Sequence, residues 1–324
     1  MIAKEWWEAR WKFFVAAAVF LAIVAFAPRT FEGIKADIQQ EIKWAQDEKF
    51  NGYEYSIGPL EEGPVGPGME EKISEKERQR FERENQRYIE RISKPEYAAN
   101  SAKWGLRSAH QFPSFSVLLP LAGLLGVALV SGEVSRSSIP LLLSRPMSRD
   151  RMLLTKYAVG VVCLFVVALL GGIGIILSAL LRGYPLASVE VGWIMGSAAL
   201  IWLVSLFVLG VALLASVVFK DVLKTLIATI VIVGIAVTVP NILLAPLELY
   251  YAIQLSPEQN RQLIEKWYRS LEFLRLTNYW SLGDSVQTSF GPRQVSTRLS
   301  VAVCLVTAAI PVLAAFWLFR RKTY

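Results

Sequence analysis

Six stretches without a single Asp, Glu, Lys or Arg set the pattern of the chain: residues 13–28, 112–132, 157–181, 191–219, 225–247 and 299–319. A helix needs about 20 predominantly apolar residues to cross the roughly 30 Å hydrocarbon core of a bilayer. Five of the six stretches meet that length outright. The first is short, but Lys12 and Arg29 flank it and can snorkel to the two interfaces. A cleaved signal peptide is its competing reading. Pro28 behind Ala25-Phe26-Ala27, and Glu5 and Glu8 within the basic flank, speak against cleavage. The pattern therefore predicts an all-α, polytopic membrane protein with six transmembrane helices.

The polar segments carry patterns of their own. Within 29–111, Phe31, Ile34, Ile38, Ile42 and Ala45 recur at steps of three and four, which predicts a helix continuing outward from span one. Gly58-Pro59, Gly63-Pro64 and Gly66-Pro67-Gly68 break it. Residues 69–94 are densely charged, with Ile73, Phe81, Tyr88 and Ile92 as a thin apolar stripe, the pattern of a solvated helix laced by opposite charges. In 258–276, Ile264, Trp267, Leu271 and Leu274 mark a further helical face. Pro240 and Pro246 precede it and predict a break near the end of span five, with a re-entrant element where the backbone is buried in protein. The expected organisation is thus 1–28, an amphipathic elbow and span one; 29–111, a helical insertion; 112–247, spans two to five with the loop 133–156; 248–298, a helical or re-entrant segment; and 299–324, span six with a basic tail.

Charge orients this arrangement. With both termini cytoplasmic, the inner segments 1–12, 133–156, 220–224 and 320–324 hold 13 Lys/Arg in 46 residues. The outer segment 248–298 holds 6 in 51, and the turn 182–190 holds 1 in 9. That is the cytoplasmic bias of basic residues, and the long stretch 29–111 translocates largely regardless of its charge. The two insertions then form an extracytoplasmic helical cap. Trp6, Trp7, Trp11, Tyr157, Trp193, Tyr250, Tyr251 and Trp280 lie near the expected boundaries, as interfacial aromatics do.

Composition narrows the chemistry further. One histidine, His110, and two cysteines, Cys163 and Cys304, leave neither a disulfide framework nor a C-x-x-C metal pair. The net charge of +7 sits on membrane flanks, so nucleic acid is not an expected partner. Ionisable groups within spans are usually kept for ion relay or substrate pairing, and here the spans carry no Asp, Glu, Lys or Arg. There is no H-E-x-x-H, no nucleophile–base pair, and no G-x-x-x-x-G-K-[ST] to cradle a nucleotide. No enzymatic activity is expected of this chain, and work done through it must draw energy from another polypeptide.

The loop after span two reads Gly132-Glu133-Val134-Ser135-Arg136-Ser137-Ser138-Ile139-Pro140-Leu141-Leu142-Leu143-Ser144-Arg145-Pro146-Met147-Ser148-Arg149. Leu141, Leu142 and Leu143 form an apolar patch that needs a cover. An interfacial helix resting on lipid, with Arg145, Arg149 and Arg151 at headgroup level, is one reading. The loop also resembles the E-x-x-x-G-T-x-x-x-L-L-S-R-P-x-S-R pattern of ABC-2 type permeases, the membrane subunits of one class of ATP-binding-cassette exporters. Glu133, Leu142, Leu143, Ser144, Arg145, Pro146, Ser148 and Arg149 fall on it. Lys156 looks like that family's basic residue opening span three. Lys4, Glu5, Trp6 and Arg10 look like the K-E-W-x-x-x-R start of its interfacial elbow. Ser137-Ser138 stand where Gly-Thr is common, and Pro140 falls inside the expected coupling helix.

The resemblance implies a role for this loop as a coupling helix seated on a cytoplasmic ABC ATPase. Glu133, Arg136, Arg145 and Arg149 would be orienting charges and Leu141, Leu142 and Leu143 the apolar anchor. It further implies a second permease subunit, in a homodimer or heterodimer, with spans one and five forming much of the facing surface and cargo path. ATP and Mg would bind the partner ATPase and no cofactor this chain. Gly171, Gly172 and Gly174 would let neighbouring helices approach closely. The expected location is a bacterial or archaeal cytoplasmic membrane, with lipid around the bundle and a partner at the outer cap. Uncharged spans favour an amphiphilic or lipid-like cargo. A subunit that drives maturation of an envelope component, and a membrane scaffold or sensor, are the alternatives.

Overall fold

A computed structural model of the chain describes residues 2–26, 28–46, 75–132, 148–252, 276–280, 285–288, 291–294 and 296–321. Eight α-helices are described: α1 Ile2–Phe26, α2 Phe31–Gln46, α3 Glu75–Ile92, α4 Pro95–Leu129, α5 Arg149–Leu181, α6 Val191–Val218, α7 Val222–Ala252 and α8 Thr297–Arg321. Single 3₁₀ turns occupy Leu186–Ser188 and Leu276–Tyr279. Strands β1 Ser285–Thr288 and β2 Gly291–Gln294 pair antiparallel, with Ser285 opposite Gln294. The described residues are thus helical apart from one hairpin, which lies where the sequence reading expects only helical or re-entrant structure.

Among the described residues five helices are long and apolar enough to cross a membrane: Pro95–Leu129, Asp150–Leu181, Leu186–Val218, Val222–Pro240 and Thr297–Arg321. The apolar part of α1, Phe13–Ile23, is shorter. Span five is not broken as predicted. α7 continues through Pro240 and Pro246 to Ala252, and α4 likewise contains Pro113 and Pro120. Each proline removes one donor, a loss that neighbouring groups in a membrane helix can absorb.

The chain divides into two compact units. The first comprises Met1–Ala27, Ala109–Ile176 and Val191–Tyr324. At its centre is α6, largely buried from Ile194 to Val217, as an all-apolar helix should be. Leu200 and Val204 of α6 pack with Cys304 of α8, and Phe115, Leu119 and Trp280 close around them. Small residues permit these approaches. A Cβ on Gly210 would lie 2.9 Å from Val312 Cγ2 and 3.2 Å from the Ala308 carbonyl. A Cβ on Gly126 would overlap Ala212 and lie 2.9 Å from the Leu209 carbonyl. Helix α5 rests on α6 through Gly160 against Leu209 and Gly172 against Met195 and Ala198. The Trp202 indole N–H donates to the Val161 carbonyl at 3.1 Å. Two of the three glycines singled out in span three thus meet other helices, Gly171 receiving the ring of Phe20 and Gly172 receiving α6.

Helix α7 is the contrast. Thr225 and Thr229 are buried, while Ile227, Ile230, Val231, Ile232, Ile235 and Val239 are exposed around it. Helix α1 touches the unit along Phe13, Ala17 and Phe20, a three–four stripe, with Phe14, Val15, Val19 and Ile23 outward. The one histidine, His110, is buried, and Ser114 Oγ donates to its carbonyl at 2.6 Å.

The second unit comprises Pro28–Ser108 and Leu177–Glu190. Helix α2 is not a continuation of α1. Pro28-Arg29-Thr30 interrupts the two, and Thr30 Oγ1 accepts from the Gly33 N–H at 3.1 Å as an N-cap. The predicted face is the inner one, with Ile38 and Ala45 buried and Phe31, Ile34 and Ile42 half-buried. Helix α3 packs antiparallel against it. Asn85 Nδ2 donates to the Ala45 carbonyl at 2.9 Å and the Tyr88 hydroxyl donates to Glu41. The Gly-Pro segment between these helices lies outside the described residues, as does the predicted face at 264–274.

Helix α5 ends on Gly183, whose φ of 78° suits glycine. The Tyr184 N–H bonds the Ala179 carbonyl and the Gly183 N–H bonds that of Leu180, so the last carbonyls are satisfied. The turn then holds α2. The Phe31 N–H donates to the Arg182 carbonyl, and the Tyr184 hydroxyl donates to that of Arg29 at 2.9 Å. Burial pushes the Tyr184 phenol above its ordinary range against the opposing charge of Arg182, which keeps it protonated and donating.

Candidate coupling end of the helical bundle

Five helix ends of the first unit gather on one face. Gly126 lies against Ala212, and Gly160 against Leu209. These contacts place the C-terminal end of α4 and the N-terminal end of α5 at the end where α6 finishes at Val218 and α7 begins at Val222. The fifth end is that of α8, tied to α5 by an ion pair. Arg320 Nε donates to both Asp150 oxygens, at 2.9 and 3.0 Å, and Nη2 lies 2.7 Å from Oδ2. Bidentate pairs of this kind add geometric specificity beyond charge. Arg321 beside it stacks 4.0 Å over the Trp317 ring.

Each helix start on this face has a side-chain cap. Ser148 Oγ accepts from the Arg151 N–H at 3.3 Å and opens α5. Asp221 Oδ1 accepts from the Lys224 N–H at 2.9 Å and opens α7. Lys156, about two turns into α5, is buried and partnered.

The predicted loop connects α4 to α5 in the sequence. Its residues Glu133, Arg136, Leu141, Leu142, Leu143 and Arg145 lie outside the described residues. Arg149 is the first residue of α5, with a side chain outside the described set. Both margins are fixed: Ser131 Oγ is buried and donates to the Val127 carbonyl, and Ser148 is the cap just described. Lys4, Glu5, Trp6 and Arg10 of the predicted elbow fall on α1 as one continuous helix with the apolar stripe. Of these, Arg10 is half-buried and partnered.

Sequence reasoning missed Asp150, Arg320 and Asp221. The first two are 170 residues apart, so no local pattern links them. Asp221 could have been found as an N-cap residue directly before an apolar run.

This geometry defines a multi-pass helical membrane protein. The chain belongs to the ABC-2 family transporter proteins, whose sequence profile matches residues 2–323, nearly its whole length. Members of the family are membrane permease subunits rather than ATPases, which implies an ABC ATPase and a second permease as partners. Comparison with curated proteins returns no significant match.

Proposed function

We propose that this chain is the permease subunit of an ATP-driven exporter in a bacterial or archaeal cytoplasmic membrane. It spans the membrane six times, α1 included, with both termini inside and the second unit and the hairpin segment outside. The match to ABC-2 family transporter proteins over residues 2–323 carries this reading. The surplus of Lys and Arg in the inward segments supports the orientation. The largely exposed, apolar α7 and the outward face of α1 are the surfaces offered to a second permease copy, to cargo and to lipid.

Residues 133–149 seat on a separate cytoplasmic ATPase that binds ATP and Mg. Closure of that ATPase moves the loop, and the packed α4, α5 and α6 carry the movement into the bundle. With no charged side chain in the apolar stretches, the path suits an amphiphilic or lipid-like cargo.

The test is purification of the full chain from its native membrane in mild detergent, beside a variant carrying Glu133→Lys and Arg145→Glu. A near-stoichiometric P-loop ATPase in the first sample, lost from the second, is the expected outcome. Absence of any ATPase from both, across several detergents, overturns the reading.

A further inference from the structure

Helix α8 packs one face on α6 and leaves the opposite face uncovered. Cys304, Ala308, Pro311 and Ala315 are buried, and Gly210 of α6 lies against Ala308 and Pro311. On the other side Val306, Ile310, Leu313 and Trp317 follow at steps of four, three and four, and are 53 to 69% exposed. Leu299, two turns earlier, extends the stripe. From Leu299 to Trp317 is about 27 Å of helix, close to the roughly 30 Å of a hydrocarbon core. Arg321 is exposed and continues the stripe one turn further, about 6 Å beyond Trp317. The headgroup layer on each side of a bilayer is about 5–8 Å thick, so Arg321 sits at phosphate depth.

The Arg321 side chain is set for that layer. A cation at a helix C-terminus is ordinarily drawn forward to the last carbonyls. Here the guanidinium turns back toward the apolar stripe and lies 4.0 Å over the Trp317 ring. Stacking engages the flat face of a guanidinium and leaves the N–H donors at its rim, a fork that fits two phosphate oxygens at once. Among the described residues no carboxylate pairs with Arg321; Asp150, at the same end of the bundle, is held by Arg320. The size of the stripe residues says what covers them. Helices that pack closely in a membrane meet through small residues, as α6 does at Gly210. Val306, Ile310, Leu313 and Trp317 are all large, which suits acyl chains rather than a second helix.

We propose that this face of α8 binds one anionic phospholipid, with its phosphate held by Arg321 over the Trp317 ring and an acyl chain along Leu313 and Ile310. The orientation proposed above makes this the inner leaflet, while the site itself is independent of that reading.

The experiment places the full chain in phosphatidylcholine vesicles containing a minor fraction of phosphatidylglycerol or phosphatidylcholine brominated near the headgroup end of its acyl chain. Quenching at Trp317 is the difference between the wild type and Trp317→Phe. Severalfold more quenching by the anionic lipid is expected, and Arg321→Gln should make the two lipids equal. Lys220 is exposed at the same end of the bundle but off the stripe, so Lys220→Gln removes the same charge and should leave the preference unchanged. Added inorganic phosphate should leave it unchanged too. Equal quenching by both lipids in the wild type overturns the proposal, even where a variant fails to fold. So does an equal loss in the two charge variants, the sign of diffuse attraction to a basic surface, or loss of the preference to inorganic phosphate. Absence of quenching by either lipid would mean that protein, such as a second copy of the chain, covers the stripe, and overturns it as well. Brominated lipid is present in both leaflets and no ATPase takes part, so failure here is separable from failure of the exporter reading.

Discussion

Gly171 and Gly172 are adjacent on α5 and make opposite demands. A Cβ at 171 would overlap the Phe20 ring, which is fully buried and belongs to the inward stripe of α1. The ring has nowhere to retreat without lifting α1. A Cβ at 172 would meet Met195 Sδ at 3.1 Å and Ala198 Cβ at 3.4 Å. A thioether on three rotatable bonds can give by a few tenths of an ångström. Gly171→Ala should therefore destabilise the protein by about 1–3 kcal/mol, the usual range for overpacking. Gly172→Ala gains up to about 1 kcal/mol of helix propensity and should be neutral or better. Thermal unfolding of the two variants in one detergent checks this, and matching Tm values would sink it. Phe20→Leu combined with Gly171→Ala should recover part of the loss, because the smaller side chain leaves room for the new methyl group.

At the scale of elements, the Asp150–Arg320 pair is informative because it contributes little static stability. Its side chains are 39 and 66% exposed, and exposed pairs are worth about 0–1 kcal/mol. What it does is join the end of α8 to the start of α5, which follows in sequence the loop for which we propose ATPase coupling. Asp150→Arg should leave the Tm close to wild type and lower the ATP hydrolysis supported by the reconstituted complex. Asp150→Arg with Arg320→Asp should restore it. A single variant with full activity, or a swap that restores nothing, would mean that the pair carries no movement.

The same pair marks where sequence reading stops. Helix positions were legible because an uncharged run of the right length has few alternatives, and the described α6 and α8 end within two residues of the runs that predicted them. Which helix lies at the centre was not legible from hydropathy, since α6 and α7 are both apolar all round. The signal lay in residue size. α6 carries Ser197, Ala198, Ser205, Gly210, Ala212 and Ser216 at its contacts, whereas α7 presents branched Ile and Val outward. The hairpin escaped because strands of four residues are too short for periodicity to declare. The loop motif was legible by resemblance, but a pair 170 residues apart left no trace.

For the whole molecule, the decisive matter is whether α1 crosses the membrane, because that sets the side on which the second unit lies. The apolar part Phe13–Ile23 is short for a span, yet Phe13, Ala17 and Phe20 are buried with the bundle and Phe14, Val15 and Val19 face outward as lipid-facing residues would. If α1 lay flat on the inner surface, positions 11 and 35 would share a side. If it crosses, they are opposed, and position 35 shares the outer side with the turn at 187 of the same unit. Cys163 and Cys304 are free and buried, so replacing both with Ala gives a background in which single cysteines report their own access. Trp11, Lys35, Ala187 and Lys220 are all exposed and suit the purpose. In intact cells or spheroplasts, a membrane-impermeant maleimide should label Lys35→Cys and Ala187→Cys. Trp11→Cys and Lys220→Cys should react only after permeabilisation. Labelling of 11 and 35 from the same side would remove the sixth span. Labelling of 220 but not 187 in intact cells would invert the bundle, and the loop 133–149 would then face away from any cytoplasmic ATPase.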